Sequence, residues 1–199
     1  MARQLSSSSE LAHPRVGNII FEASAARDQG SCQCSAAFAA IGLYEEVLIR
    51  RGYNYNLSEQ AVLQCADNYN YNNTGLTNDC RGVQPLDALN TLAEFGALNR
   101  SEYPYISGNW GANASYEATL GICNVTEKVK LGTASVVTYY NSSIVDLQSI
   151  IKSTGPVIAS IFPNSAFLAF NGSSVFNECS IVYNTEILSH TVLILGFNS

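Results

Sequence analysis

The amino-acid sequence predicts an α+β fold of two lobes, helical first and β-rich second. Apolar residues recur at three-to-four spacing through roughly the first 125 positions, which is helical periodicity. From about residue 126 the texture turns β-branched and aromatic, which is strand composition. Helices followed by strands, rather than strands alternating with helices, argue against a wound parallel sheet. The expected division is an N-terminal arm over 1–20, a helical lobe over 21–125 and a β-rich lobe over 126–199, together one domain.

The arm carries the serine run Ser6–Ser9, a composition that favours a flexible coil. It lacks the apolar core of a signal peptide, so a secretory signal or pro-segment is expected to have been removed or to lie outside this sequence. The first helix is expected over Ser35 to Arg51, with Phe38, Ile41, Tyr44 and Leu48 on its core-facing stripe and Gly52 just past its end. "NLSEQAVLQCA" predicts a second, with Ser58 as its cap and Glu59 and Gln60 in its first turn. "QPLDALNTLAEFG" predicts a third, opened by Pro85 and closed by Gly96, with Leu86, Leu89, Leu92 and Phe95 on one face. In the second lobe "KLGTASVVTYY" and "GPVIASIF" read as strands, "SSIVDLQSIIKS" as a helix between them, and "HTVLILGF" as a buried strand. The segments "YNYNLSEQ" and "NYNYNNTG" share a Tyr/Asn flavour but read as polar loop, not repeated structure.

Charge excludes some functions. Net charge is −6, and no Lys/Arg cluster is available to neutralise phosphates, so no nucleic-acid partner is expected. The pair Arg50-Arg51 fits a helix C-terminus better. No apolar run is long enough to span a bilayer. No cofactor is implied, and His13 is expected to be solvated.

The six cysteines admit thiols, a metal site or disulfides. Seven Asn-X-Ser/Thr sequons, at Asn56, Asn72, Asn99, Asn113, Asn124, Asn141 and Asn171, exceed the number expected by chance. They favour N-glycosylation, hence a secreted or endomembrane (lysosome-like) location where disulfides persist. A zinc site is not expected: Cys32 and Cys34 are too close together, and the sequence has only two histidines.

The richest stretch is "QGSCQCSAAF", residues 29–38, at the start of the first predicted helix. Together with "RDQGSCQCSAAFAAIGLYEE", "LSEQAVLQC", "DCRG", "EYPY", "GPVIASI" and "LSHTVLILGF", in that order over roughly residues 27–197, it resembles the papain-like (cathepsin-type) cysteine proteases. The resemblance implies their two-lobe fold, with a helical lobe facing an antiparallel, barrel-like β lobe. It implies a nucleophile at the N-terminus of the long helix, a histidine from the other lobe and a glutamine oxyanion donor. In this sequence those positions are Ser35, His190 and Gln29. Gly82, Val83, Pro85 and Ser189 fall where the cleft is lined. The implied disulfides are Cys32–Cys80 and Cys65–Cys123, while Cys179 matches a cysteine whose usual partner lies further on. The two bridges would close loops of about 47 and 57 residues, each contributing about 4 kcal/mol in the entropic model.

The departures from the family pattern bear on activity. Ser35 stands at the cysteine nucleophile's position, Ala36 replaces a tryptophan that shields the cleft, and Val83 replaces a glycine along it, narrowing the approach. A thiol can be stored as a thiolate by a helix dipole and an imidazolium; a serine hydroxyl must lose its proton to a base during attack. Cys34 as a substitute nucleophile would need a compensating shift in the alignment, and one residue along a helix swings a side chain by about 100°. It reads instead as a small buried residue or spare thiol. Trp110 reads as a loop anchor. The family's Asn-Ser-Trp-Gly block, with its imidazole-orienting Asn, has no counterpart here, so the second lobe is expected to be incomplete or completed by a light chain.

The expectation is a catalytically impaired papain-like homologue, a secreted glycoprotein that binds a peptide or protein along its cleft or within an extracellular assembly. The enzymatic alternatives are a peptidase with an engineered Cys-to-Ser change, or an atypical Ser–His hydrolase or condensing pair such as that of silica-forming relatives.

Overall fold

In the computed structural model the described residues are 18–70, 78–79, 83–106, 115–116, 128–130, 137–138, 143–172, 175–177 and 189–198, with backbone alone at 67–70, 78–79 and 115–116. The elements run β1 (Asn18–Ile20), α1 (Ser35–Arg50), α2 (Glu59–Asn70), β2 (Asn78–Asp79), α3 (Pro85–Phe95), β3 (Ser115–Tyr116), α4 (Ile144–Thr154), β4 (Val157–Ile161), α5 (Ser165–Ala169), β5 (His190–Ile194) and β6 (Gly196–Asn198).

Helix α1 is the axis of the molecule. It packs against α2 and α3 on one side and against β4 and β5 on the other. Small residues allow the second contact: a Cβ built at Gly42 would lie 3.2 Å from Leu193 Cδ2, so strand β5 passes close to the helix. Ile41, Tyr44 and Leu48 are buried as the stripe predicts, while Phe38 is half-buried. Gly52 follows the C-cap with φ of 83°, a conformation that costs glycine least. Ser58 caps α2, its Oγ accepting the Ala61 N–H at 3.1 Å.

The third helix corrects one expectation. Its buried face is Ala88, Thr91 and Leu92, whereas Leu86 is exposed. Steps of three residues drift by about 60° each, so a run of four leucine-type positions spreads over half the helix circumference. The small side chains at 88 and 91 therefore take the tight contact.

The second lobe is built of antiparallel pairs. β4 pairs with β5, with Ile161 opposite His190 and Val157 opposite Ile194. "HTVLILGF" is not one buried strand but two, and of β5 only Thr191 is buried. The break at Leu195 lets β5 pair with β4 and β6 with β1. Residues 18–20, read as the end of the arm, are β1 itself, with Asn18 opposite Asn198. Three residues are too few to show a period. α4 opens on a capping box, Ser143 with Asp146, and α5, also unforeseen, is capped by Asn164. Most of "KLGTASVVTYY" lies outside the described residues, as do 1–17.

A buried polar network ties these parts together. Glu45 and Glu59, from α1 and α2, are both fully enclosed, and Arg27 bridges them with N–O distances of 2.6 Å to each. Arg100 reaches Glu59 at 3.3 Å, and Glu45 also accepts the Leu57 N–H at 2.7 Å. Arg27 thereby fixes the segment that leads to Gln29.

Candidate active site

Ser35 is the first residue of α1. Cys34 is the N-cap but contributes no side-chain cap, and the first turn holds no acidic residue. The partial positive charge of the helix N-terminus is left uncancelled by its own chain. That is the electrostatic setting in which a developing negative charge at residue 35 would be stabilised.

Strand β5 meets this helix end. The Thr191 backbone N–H donates to Ser35 Oγ at 3.0 Å, joining α1 to the residue next to His190. His190 is half-buried, and Ser189 is exposed. Among the described residues no hydrogen bond joins the Ser35 hydroxyl to the His190 ring. Gln29 is half-buried, and its side-chain amide donates to the Cys32 carbonyl at 2.8 Å, which engages one of its two N–H bonds.

Cys34 is fully buried, with its Sγ 3.1 Å from Tyr105 Oη. Tyr105 donates its only proton to the Gln29 carbonyl at 2.7 Å. The thiol then has two acceptors within reach, Tyr105 Oη and the Cys32 carbonyl at 3.5 Å, and contacts run from Cys34 through Tyr105 to the backbone of Gln29. Burial pushes the Cys34 thiol up to about 11, and Glu59 adds to the rise, against a smaller opposing effect of the Tyr105 bond. Tyr105 is raised as well, first by burial and then by its bond to Cys34. Cys34 is therefore a neutral thiol near pH 7, unsuited to attack.

Ala36 is buried. Val83 is half-buried and packs against the buried cluster that includes Cys32 and Cys34. Pro85 occupies the first turn of α3. Gly82, Trp110 and His13 lie outside the described residues. Cys32 and Cys65 are disulfide-bonded and Cys34 is free; Cys80, Cys123 and Cys179 lie outside the described residues. Of the sequon asparagines, Asn56 and Asn171 are exposed and Asn99 is half-buried; Asn72, Asn113, Asn124 and Asn141 fall outside. No group of three or more His, Cys, Asp or Glu side chains is arranged to hold a metal among the described residues. No helix among them is long and apolar enough to cross a membrane.

Thr191, Tyr105 and Arg27 were not singled out as working residues by sequence reasoning. A signal existed for the last: Glu45 and Glu46 interrupt an apolar helix, and a buried carboxylate needs a partner.

Residues 18–199 match the family described as papain family cysteine protease. The chain belongs to that family. It is 30% identical over 178 residues to a silicatein of Petrosia ficiformis, covering 87% of this chain and 46% of that protein. It is 25% identical over 174 residues to a cysteine protease of Blomia tropicalis, covering 87% and 49% respectively. The chain thus spans about half the length of these curated relatives. A solved structure from work on antibody cross-reactivity between the mite allergens Blo t 1 and Der p 1 superposes with a TM-score of 0.65 at 22% identity, covering 98% of this chain and 61% of that one. The papain-like fold, with helices against antiparallel strands, is shared.

Proposed function

We propose that this chain is a papain-family homologue that uses its cleft to bind a peptide or protein segment and does not cleave it. Ser35 stands at the nucleophile position, His190 at the base position and Gln29 at the oxyanion position. The observation that carries the reading is the partner of Ser35: its oxygen accepts a backbone N–H from Thr191, with no hydrogen bond to the imidazole. A serine hydroxyl needs a base to take its proton, and among the described residues no base is hydrogen-bonded to it. The neighbouring thiol of Cys34 is buried and protonated, so it offers no replacement. The sequons and disulfide-bonded cysteines support a secreted or endomembrane protein.

The test is an active-site probe, an epoxide or a fluorophosphonate, applied to the native protein and read by intact mass. We expect no labelling of the native chain and labelling of Ser35→Cys, whose thiol would sit at the open helix N-terminus. Labelling at native Ser35 would overturn the proposal in favour of a Ser–His hydrolase. That second reading is favoured by strand β5, which sets His190 one residue from the Ser35 contact, and by the similarity to a silicatein.

A further inference from the structure

The Tyr/Asn segment after α1 is unused by the candidate active site, and it borders a groove. This groove has a volume of about 610 Å³ and lies between residues 22–27 and residues 52–56, with Ile49 of α1 also lining it. Ile49 is 14 residues along α1 from Ser35, so about 20 Å separates the groove from the candidate site. The volume is in the range of small-molecule sites.

Its chemistry narrows the ligand. Tyr53 and Tyr55 present rings 6.1 Å apart, tilted by 30°. Tyr53 is 41% exposed. Two polar wall groups are turned into the protein: Arg27 is held by Glu45 and Glu59, and Ser24 donates to Glu45. With Arg27 engaged, no free cation faces the groove, which disfavours phosphates and other anions. What remains available is an aromatic surface beside the amide of Asn54 and the carboxylate of Glu22, neither of which has a side-chain hydrogen bond among the described residues. Amides that both donate and accept suit hydroxyl groups, and tyrosine rings suit the apolar C–H face of a pyranose.

We propose that this groove binds a saccharide, seated on Tyr53 and Tyr55. Two sources share that chemistry. Asn56 is both a sequon asparagine and a wall of the groove, so a glycan attached there would be held at high effective concentration. A free oligosaccharide is the other source. The glycan would be added before folding, because Ser58 of the sequon is fully buried and caps α2 in the folded chain.

The experiment titrates N,N′-diacetylchitobiose, monitored by tyrosine fluorescence, into the protein secreted from a eukaryotic host and into its Asn56→Gln variant. Saturable binding to Asn56→Gln is expected, weakened about tenfold or more by Tyr53→Ala and retained by Tyr53→Phe, which keeps the ring and controls for folding. If the secreted protein with Asn56 intact then fails to bind, its own glycan fills the groove. If it binds equally, the ligand is a free saccharide. Absence of saturable binding by Asn56→Gln, or unchanged binding on Tyr53→Ala, overturns the proposal.

Discussion

Replacing Arg27 by methionine is the sharpest test of how the candidate site is held. The methionine keeps an apolar stem but removes the guanidinium from two carboxylates that water does not reach. In the native protein the Glu45 side chain is 0% exposed and that of Glu59 is 1% exposed, each 2.6 Å from an Arg27 nitrogen. Losing one partner of a buried pair typically costs about 3–5 kcal/mol, because the other charge stays buried and unpaired. Here three residual contacts soften the loss: Arg100 still reaches Glu59, and the Leu57 N–H and the Ser24 hydroxyl still reach Glu45. The lower end, about 3 kcal/mol, is therefore expected, a large part of a typical stability of about 5–15 kcal/mol. For a chain of this size that corresponds to a fall in Tm of roughly 6–12 °C. Urea denaturation and calorimetry with the disulfides intact measure it. Adding Glu45→Gln to Arg27→Met should recover part of the loss, since one uncompensated charge is removed. A loss below about 1 kcal/mol, the value of an exposed pair, would refute the reasoning.

Two of the remaining predictions concern Cys34 and one concerns Gly196. The Cys34 thiol, pushed by burial to about 11, should resist maleimide at pH 8 until the protein is unfolded. Because the unfolded thiol ionises near its ordinary 9.0 while the folded one keeps its proton, stability should fall as pH rises from about 9 toward about 11. Cys34→Ala should reduce that slope, leaving the share of Tyr105, whose proton burial also holds, and a slope unchanged by the substitution would refute the assignment. At Gly196 an added Cβ would lie 1.8 Å from the Ile19 carbonyl oxygen, a clash with backbone that no rotamer relieves. Gly196→Ala should therefore separate β1 from β6 at a cost of about 2–3 kcal/mol. Hydrogen exchange at the Phe21 amide, which bonds to the Leu195 carbonyl, reads it directly.

Where local chemistry and periodicity agree, the elements could be read without coordinates. The stripe on α1, Ser58 at the head of α2, and Pro85 and Gly96 around α3 are short-range events, decided within one or two helical turns. β1 and the break at Leu195 were not legible. A strand of three residues exists only because a distant partner pairs with it.

The candidate site divides along the same line. The motifs in the sequence single out Gln29, Ser35 and His190, and the identity of residue 35 as serine is a matter of sequence alone. Three features depend on separations that no local pattern encodes: Thr191 donates to Ser35 across 156 residues, Tyr105 meets Cys34 across 71, and Arg27 spans α1 and α2. Each is a polar contact whose value comes from exclusion of water, and burial arises only when the elements pack. The sequence therefore singled out Ser35; only the tertiary structure decided what its oxygen touches.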